Sequence, residues 1–245
     1  MGINQKKNTR KILIITSCIY PNKVCTDFES KIGSVEERVN RYIYTIKKIK
    51  IKNFDKTYFI DNSKYEIKDF PALLNILKFK NIEVINFKLS ANSFKKGKGY
   101  QECEMINYIL SQQNSETYFF KLTGTIPILN FSNLLKKFER LDKINYSYFL
   151  SSKISNTNKI IDTRFFYTNK KTWESFTKNY QNYIDDKNNI YLENVLFFFC
   201  KLNNIKYKLF YPDIGNKFYL DGNGKRYKTS RFKFIIKKLI YQICF

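Results

Sequence analysis

Between residues 11 and 122, short β-branched and aromatic runs alternate with longer segments whose apolar residues recur at helical spacing. Residues 11–16 (KILIIT) form an unbroken apolar run, the mark of a strand buried on both faces. Residues 35–50 read as a helix, with Val35, Val39, Tyr42, Ile43 and Ile46 on one face. A second strand over 57–61 ends in the turn Asp61-Asn62-Ser63. Pro71 opens a short helix through Leu77, residues 82–87 form a third strand, and Gly97 and Gly99 lead into a helix from about 101 to 112. A fourth strand covers 117–122 and is broken by Thr123-Gly124. Repetition of strand and helix predicts an α/β fold, a Rossmann-like, mostly parallel sheet with helices on both faces. Ligands of such sheets lie beyond the carboxyl ends of the strands.

The second half is less regular. Strands are expected over 146–152 and 160–168, with a hairpin around Asn156 to Asn158. Helices are expected over 170–182 and 191–203 and a strand over 205–211, followed by a glycine-containing loop from Pro212 to Thr229. We divide the chain into a domain over 1–229 and a basic amphipathic helix over 230–245. In that tail Phe232, Ile235, Ile236, Leu239, Ile240 and Ile243 recur at helical spacing, with Lys233, Lys237 and Lys238 largely off the stripe.

Composition excludes several chemistries. The 245 residues contain no His, which removes Ser-His-Asp and Cys-His catalysis and any His-ligated metal. Five scattered Cys without a CxxC pair argue against a disulfide framework and structural zinc, and point to a reducing cytoplasm. The N-terminal apolar run is too short for a secretory signal, and no stretch approaches the roughly 20 apolar residues of a membrane span. The formal charge is +23, from 44 basic and 21 acidic residues. Such a surface attracts polyanions. The lysines are spread along the chain rather than gathered into a stripe, which favours phosphates and anionic headgroups over nucleic acid.

Five places carry candidate chemistry. Thr16 and Ser17 end the first strand and can hydrogen-bond a nucleoside, with Glu37, Arg38 and Arg41 in the next helix; the competing reading is a loop start and a solvated helix face. Asp61 can hold a ribose or base, or serve a local Asx turn. Lys98, between Gly97 and Gly99 at a helix start, suits a diphosphate, although the same glycines can simply permit a turn. Lys121 ends a buried aromatic strand next to Thr123 and Gly124, and a buried ammonium requires an anion beside it. Asp162 and Arg164 are placed on one face of a strand, and Glu193 stands near the start of an apolar helix, as a dipole-favoured charge or a general base.

Taken in order, the strand ending in TSC, the DNS turn, GKGYQE, FFKLTG, DTRFF, LEN and the late G-x-G-K-x-Y (Gly222, Gly224, Lys225, Tyr227) resemble bacterial surface-polysaccharide and lipooligosaccharide glycosyltransferases with a GT-A-like fold. The resemblance runs from about residue 11 to 228. It implies a nucleotide-sugar donor and a glycan or lipid-linked acceptor. It further implies a cytoplasmic enzyme held peripherally at the inner membrane by its tail on an anionic surface. The alternative for that tail is packing on its own domain or on a second copy of the chain, a homodimer. Thr16, Ser17, Arg38 and Asp61 would contact the nucleoside; Lys98, Lys121, Thr123, Gly124, Arg164 and Lys225 would surround the donor's diphosphate. Glu193 would be the catalytic base, with Asp162 in reserve. Many GT-A enzymes hold a divalent metal with Asp-x-Asp; here Lys121-Leu122-Thr123-Gly124 stands at that strand end, so metal-independent transfer without a cofactor is expected. Asp185-Asp186 reads as solvated loop rather than a metal pair. The rival readings are a nucleic-acid-binding module and a non-catalytic scaffold of a polysaccharide assembly complex.

Overall fold

Ile12 to Ile15 have no solvent exposure, so the first strand is covered on both faces. The computed structural model describes residues 9–20, 34–128, 131–132, 134–136, 148–151 and 154–209. In chain order the elements are β1 (Arg10–Ser17), α1 (Val35–Lys48), β2 (Lys56–Asp61), α2 (Pro71–Phe79), β3 (Glu83–Asn86), α3 (Ala91–Lys96), α4 (Lys98–Ser111) and β4 (Thr117–Thr123). They continue with β5 (Tyr148–Ser151), β6 (Ile154–Ser155), β7 (Ile160–Ile161), β8 (Phe165–Asn169), α5 (Lys170–Tyr180), α6 (Leu192–Leu202) and β9 (Lys206–Leu209). Seven strands form one sheet in the order β3-β2-β1-β4-β8-β5-β9, and β6 and β7 make a small hairpin. Every neighbouring pair is parallel except those of β8, which runs against both β4 and β5. This is the mostly parallel α/β sheet, flanked by helices, that the sequence leads one to expect.

Strand residues alternate between two cores. Leu13, Ile15, Phe59, Phe120 and Leu122 pack under α1 and α2 with Tyr42, Ile46, Leu73 and Leu77. Ile12, Ile14, Tyr58, Phe119 and Phe166 face α4, α5 and α6, against Ile106, Trp173, Leu196 and Phe199. Period-two alternation therefore feeds two helical layers. It also places Lys121, two residues after Phe119, on the α4–α6 face.

Among the described residues the expected elements are present, with changes at two of them. The helix expected from about 101 begins at Lys98, preceded by the short α3, whose Ser90 cap accepts the Ser93 N–H at 3.2 Å. The strand expected over 160–168 is broken into β7 and β8, and Asp162-Thr163-Arg164 form the turn between them. The cause is local: the Asp162 carboxylate accepts the Arg164 N–H at 3.0 Å and the Asp162 carbonyl accepts the Ser151 hydroxyl at 2.6 Å. Asp162 therefore precedes the strand instead of opening it. Glu37 belongs to a capping box at the start of α1, exchanging bonds of 3.2 Å each with Ser34. The tail 230–245 and Lys225 lie outside the described residues.

Gly97 joins α3 to α4 at φ +102°. A Cβ there would stand 2.6 Å from the Cβ of Asp186, whose carboxylate accepts the Gly99 N–H at 3.1 Å. Both the left-handed backbone and the close approach require glycine. Gly97→Ala should lower unfolding free energy by about 1–3 kcal/mol, measured by urea denaturation; an unchanged midpoint would show that the junction tolerates a side chain.

Candidate active site

The carboxyl ends of β1, β2 and β4 lie side by side, in registers that pair Ser17 with Asp61 and Thr16 with Thr123. At the β1–β2 end the polar groups hold each other. Asp61 is 1% exposed, and its carboxylate accepts the Ser17 hydroxyl at 2.5 Å, the Ile19 N–H at 3.1 Å and the Ser63 N–H at 2.8 Å. The Thr16 carbonyl accepts the Gly124 N–H at 2.9 Å. Arg38 is buried and donates through Nη2 to the Cys18 carbonyl. The Tyr42 hydroxyl accepts the Cys18 N–H at 3.0 Å, and burial pushes its pKa up to about 12. Thr16, Ser17, Arg38 and Asp61 thus build the start of the β1–α1 loop. Ser17 Oγ, the Asp61 carboxylate and Arg38 Nη2 carry internal bonds at this strand end, while Arg38 Nε is buried without a hydrogen-bond partner among the described residues.

Gly124 is also structural, since a Cβ on it would stand 2.7 Å from the Tyr42 ring. The helix start at Lys98 is likewise taken. Asp186 bonds the backbone N–H groups of Gly99 and Lys98, so the dipole end expected to receive a diphosphate holds an internal carboxylate. Burial raises the Asp186 carboxyl above the usual aspartate value, opposed by those N–H bonds. Asp186 is therefore a cap, not solvated loop. The Lys98 side chain itself is exposed.

The remaining candidates converge on the α4–α6 side of β4. Lys121 has no solvent exposure and pairs with Glu102 of α4. Its ammonium also donates to Thr123 Oγ1 at 2.9 Å and to the Thr163 carbonyl at 2.7 Å. The anion demanded by burying this lysine is an internal carboxylate. Lys121 therefore lies beneath the surface of this strand end, held by groups of its own chain. Burial pulls its pKa down to about 7, against the opposing charges of Glu193 and Asp162.

Thr163 passes this order outward, donating its hydroxyl to Glu193 Oε1 at 2.7 Å. Asp162 is 5% exposed and gripped by Arg164, whose Nε lies 2.9 and 3.0 Å from its two oxygens and whose Nη2 lies 2.6 Å from Oδ2. A carboxylate held by a bidentate guanidinium is a weaker base than a free one. Glu193 is half-buried in the first turn of α6, and among the described residues Thr163 is its hydrogen-bond partner. Glu193 and Arg164, whose side chain keeps 33% exposure, are the reachable charges of the cluster.

The sequence reading missed Glu102, Thr163 and Asp186 as members of this region. Helical spacing points to Glu102 in hindsight: it follows Lys98 by one turn on a helix packed against β4. It also missed Tyr20 and Tyr65, whose rings meet edge to face at 5.2 Å beyond β1 and β2, Tyr65 being 42% exposed. No group of three or more Cys, Asp or Glu among the described residues is arranged to hold a metal.

No protein-family model matches the chain, and no curated protein is detectably similar to it in sequence. Among solved structures it is similar to a cytidylyltransferase from Leptospira borgpetersenii serovar Hardjo-bovis, with 11% identity over 95% of this chain and 96% of that one, TM-score 0.48. It is also similar to the inositol-1-phosphate CTP transferase from T. maritima, at 13% identity over 82% and 84%, TM-score 0.45. A third is S. aureus TarS, at 10% identity over 82% of this chain and 35% of that one, TM-score 0.45. Likeness at this level assigns neither a reaction nor a substrate.

Losing the buried ammonium leaves Glu102 without its countercharge. Lys121→Met should therefore cost about 3 kcal/mol of unfolding free energy, at the lower end for a broken buried pair because Glu102 keeps some exposure. Adding Glu102→Gln should recover part of that loss. A single variant as stable as the parent would show that the pair does not hold α4 to β4.

Proposed function

We propose that the chain is a transferase acting on a nucleotide-activated sugar, and more narrowly a glycosyltransferase that passes the sugar to a glycan or lipid-linked acceptor in bacterial surface-polysaccharide synthesis. The observation that carries this reading is Glu193: a half-buried carboxylate, oriented by the Thr163 hydroxyl, near the carboxyl end of β4, where α/β folds bind ligands. In an inverting transfer the acceptor oxygen bonds to the anomeric carbon while the bond from that carbon to the diphosphate oxygen breaks. The acceptor proton passes to Glu193, and the nucleoside diphosphate leaves with the bonding electrons.

The leaving charge needs cations. Arg164 is one residue from the threonine that orients Glu193, and Lys98 is exposed at the start of α4. Lys225 remains a sequence-based candidate. Tyr20 and Tyr65 are apt to pack against the donor's base. Where an Asp-x-Asp pair would bind a divalent ion, β4 carries a buried ammonium and a threonine, a donor set that repels such an ion. The reading is therefore metal-independent transfer without a cofactor. It also includes cytoplasmic work at the inner membrane, with the stripe of residues 230–245 on anionic lipid; the observation behind this is the tail's sequence alone.

Glu193→Gln should lower kcat by about 100-fold or more while leaving donor KM within a few-fold, because only proton removal is lost. A near-normal kcat would take Glu193 out of the role. The matching nucleotide or its sugar, screened from UDP, GDP and CMP at about 100 Kd, should stabilise the chain by about 2.7 kcal/mol in thermal unfolding. Activity should survive chelator, and its restoration by Mn²⁺ or Mg²⁺ after loss would overturn metal independence.

A further inference from the structure

Among the described residues, the last helix, α6, and the segment before it carry an exposed apolar strip. Of the eight exposed large hydrophobic residues among those described, five lie between Tyr183 and Leu202: Tyr183, Ile190, Tyr191, Phe198 and Leu202. On α6, Val195, Phe198 and Leu202 follow one another at spacings that keep them on one side of a helix. With Tyr180, Tyr183 and Ile190 they line a shallow groove along its outer face. Phe198 and Leu202 are 43% and 70% exposed. Side chains of this size left in water together on one face mark a contact surface.

The rim of the strip states what that contact is. The Lys159 ammonium lies over the Phe198 ring, 5.8 Å from its centre. Over residues 178–207 the exposed charges are Lys178, Lys187, Lys201 and Lys206, whereas Asp185, Asp186 and Glu193 are each partly covered. We infer that this face of α6 docks on an anionic lipid surface, with the aromatic and aliphatic side chains at headgroup depth and the lysines on lipid phosphates. Aromatic rings with a polar rim suit that interfacial layer. Charge selects among the other occupants. A second copy would bring the same lysines and a net charge of +23 against this rim. The chain's own tail would bring Arg231, Lys233, Lys237 and Lys238. Both are repelled where an anionic sheet is attracted. Glu193 sits in the first turn of the same helix. It stands on the side of the helix roughly opposite the strip, so docking there leaves Glu193 uncovered.

The test is co-sedimentation of the full chain with phosphatidylcholine vesicles, with and without phosphatidylglycerol, at low and moderate salt. The parent should bind the anionic vesicles and release as salt rises. Phe198→Ser with Leu202→Ser should weaken that partition by about tenfold or more, with the circular dichroism spectrum and unfolding midpoint retained. Lys159→Glu with Lys201→Glu, which touches only exposed positions, should remove most of the salt-sensitive part and serves if the first variant folds poorly. Unchanged partition of both variants overturns the inference, as does equal binding of the parent to neutral vesicles. A dimer that falls to monomer in the first variant, with vesicle binding intact, would assign the strip to a second copy. Leu239→Ser with Ile240→Ser tests the tail separately: if that variant abolishes all binding while the α6 variants do nothing, the docking belongs to residues 230–245. None of these readouts depends on sugar transfer, so the loss of one reading leaves the other standing.

Discussion

An ammonium with no solvent exposure persists in a sheet only where its charge is answered and its protons find acceptors, and Lys121 has a countercharge and two hydrogen bonds. Glu102 supplies the countercharge, Thr123 a hydroxyl and Thr163 a carbonyl. These partners come from α4, from β4 itself and from the turn between β7 and β8, so one buried side chain ties together three parts of the chain. A misplaced α4 would strand the lysine, and a shifted turn would leave one of its protons without an acceptor. Both errors are costly in a low-dielectric interior. Thr163 then carries the order one step outward, because its hydroxyl is fixed on Glu193. The geometry of the candidate base is thus set from within the core.

The acidic residues are spent in the same way. Asp61 secures the first loop, Asp186 closes the start of α4, Asp162 holds Arg164 and Glu102 holds Lys121. With 21 acids against 44 bases, interior use of carboxylates leaves the surface more cationic than composition alone suggests. The consequence runs through the whole functional reading: phosphate-bearing donors and anionic headgroups meet a favourable field over much of the molecule. Among the described residues, no helix is long and apolar enough to cross a membrane.

Much of the architecture was legible before any coordinates. The unbroken run Ile12–Ile15 announced a strand covered on both faces, and the alternation of strands and helices announced a mostly parallel sheet. The segment Phe119 to Thr123 showed that a buried lysine would need an anion. All three follow from local rules, since hydrophobic period and desolvation are properties of a residue and its near neighbours. The roles of individual polar residues were less legible. Asp61, Lys98 and Gly124 sit where ligands bind in such folds and carry suitable chemistry. Their partners, however, are Ser17 at 44 positions' separation, Asp186 on a later turn, and the ring of Tyr42.

Residues 160–168 have the composition of a strand, yet the side chain of Asp162 competes successfully for the Arg164 N–H and breaks the ladder. The sequence by itself determined the layers, the location of the strand ends and the requirement for an anion beside Lys121. Only the tertiary structure decided that this anion is Glu102, that Asp61 and Asp186 are occupied with backbone, and that Glu193 is oriented by Thr163. The physical reason is that a polar group's partner is chosen by distance in space. That distance exists only once the sheet and its covering helices have met.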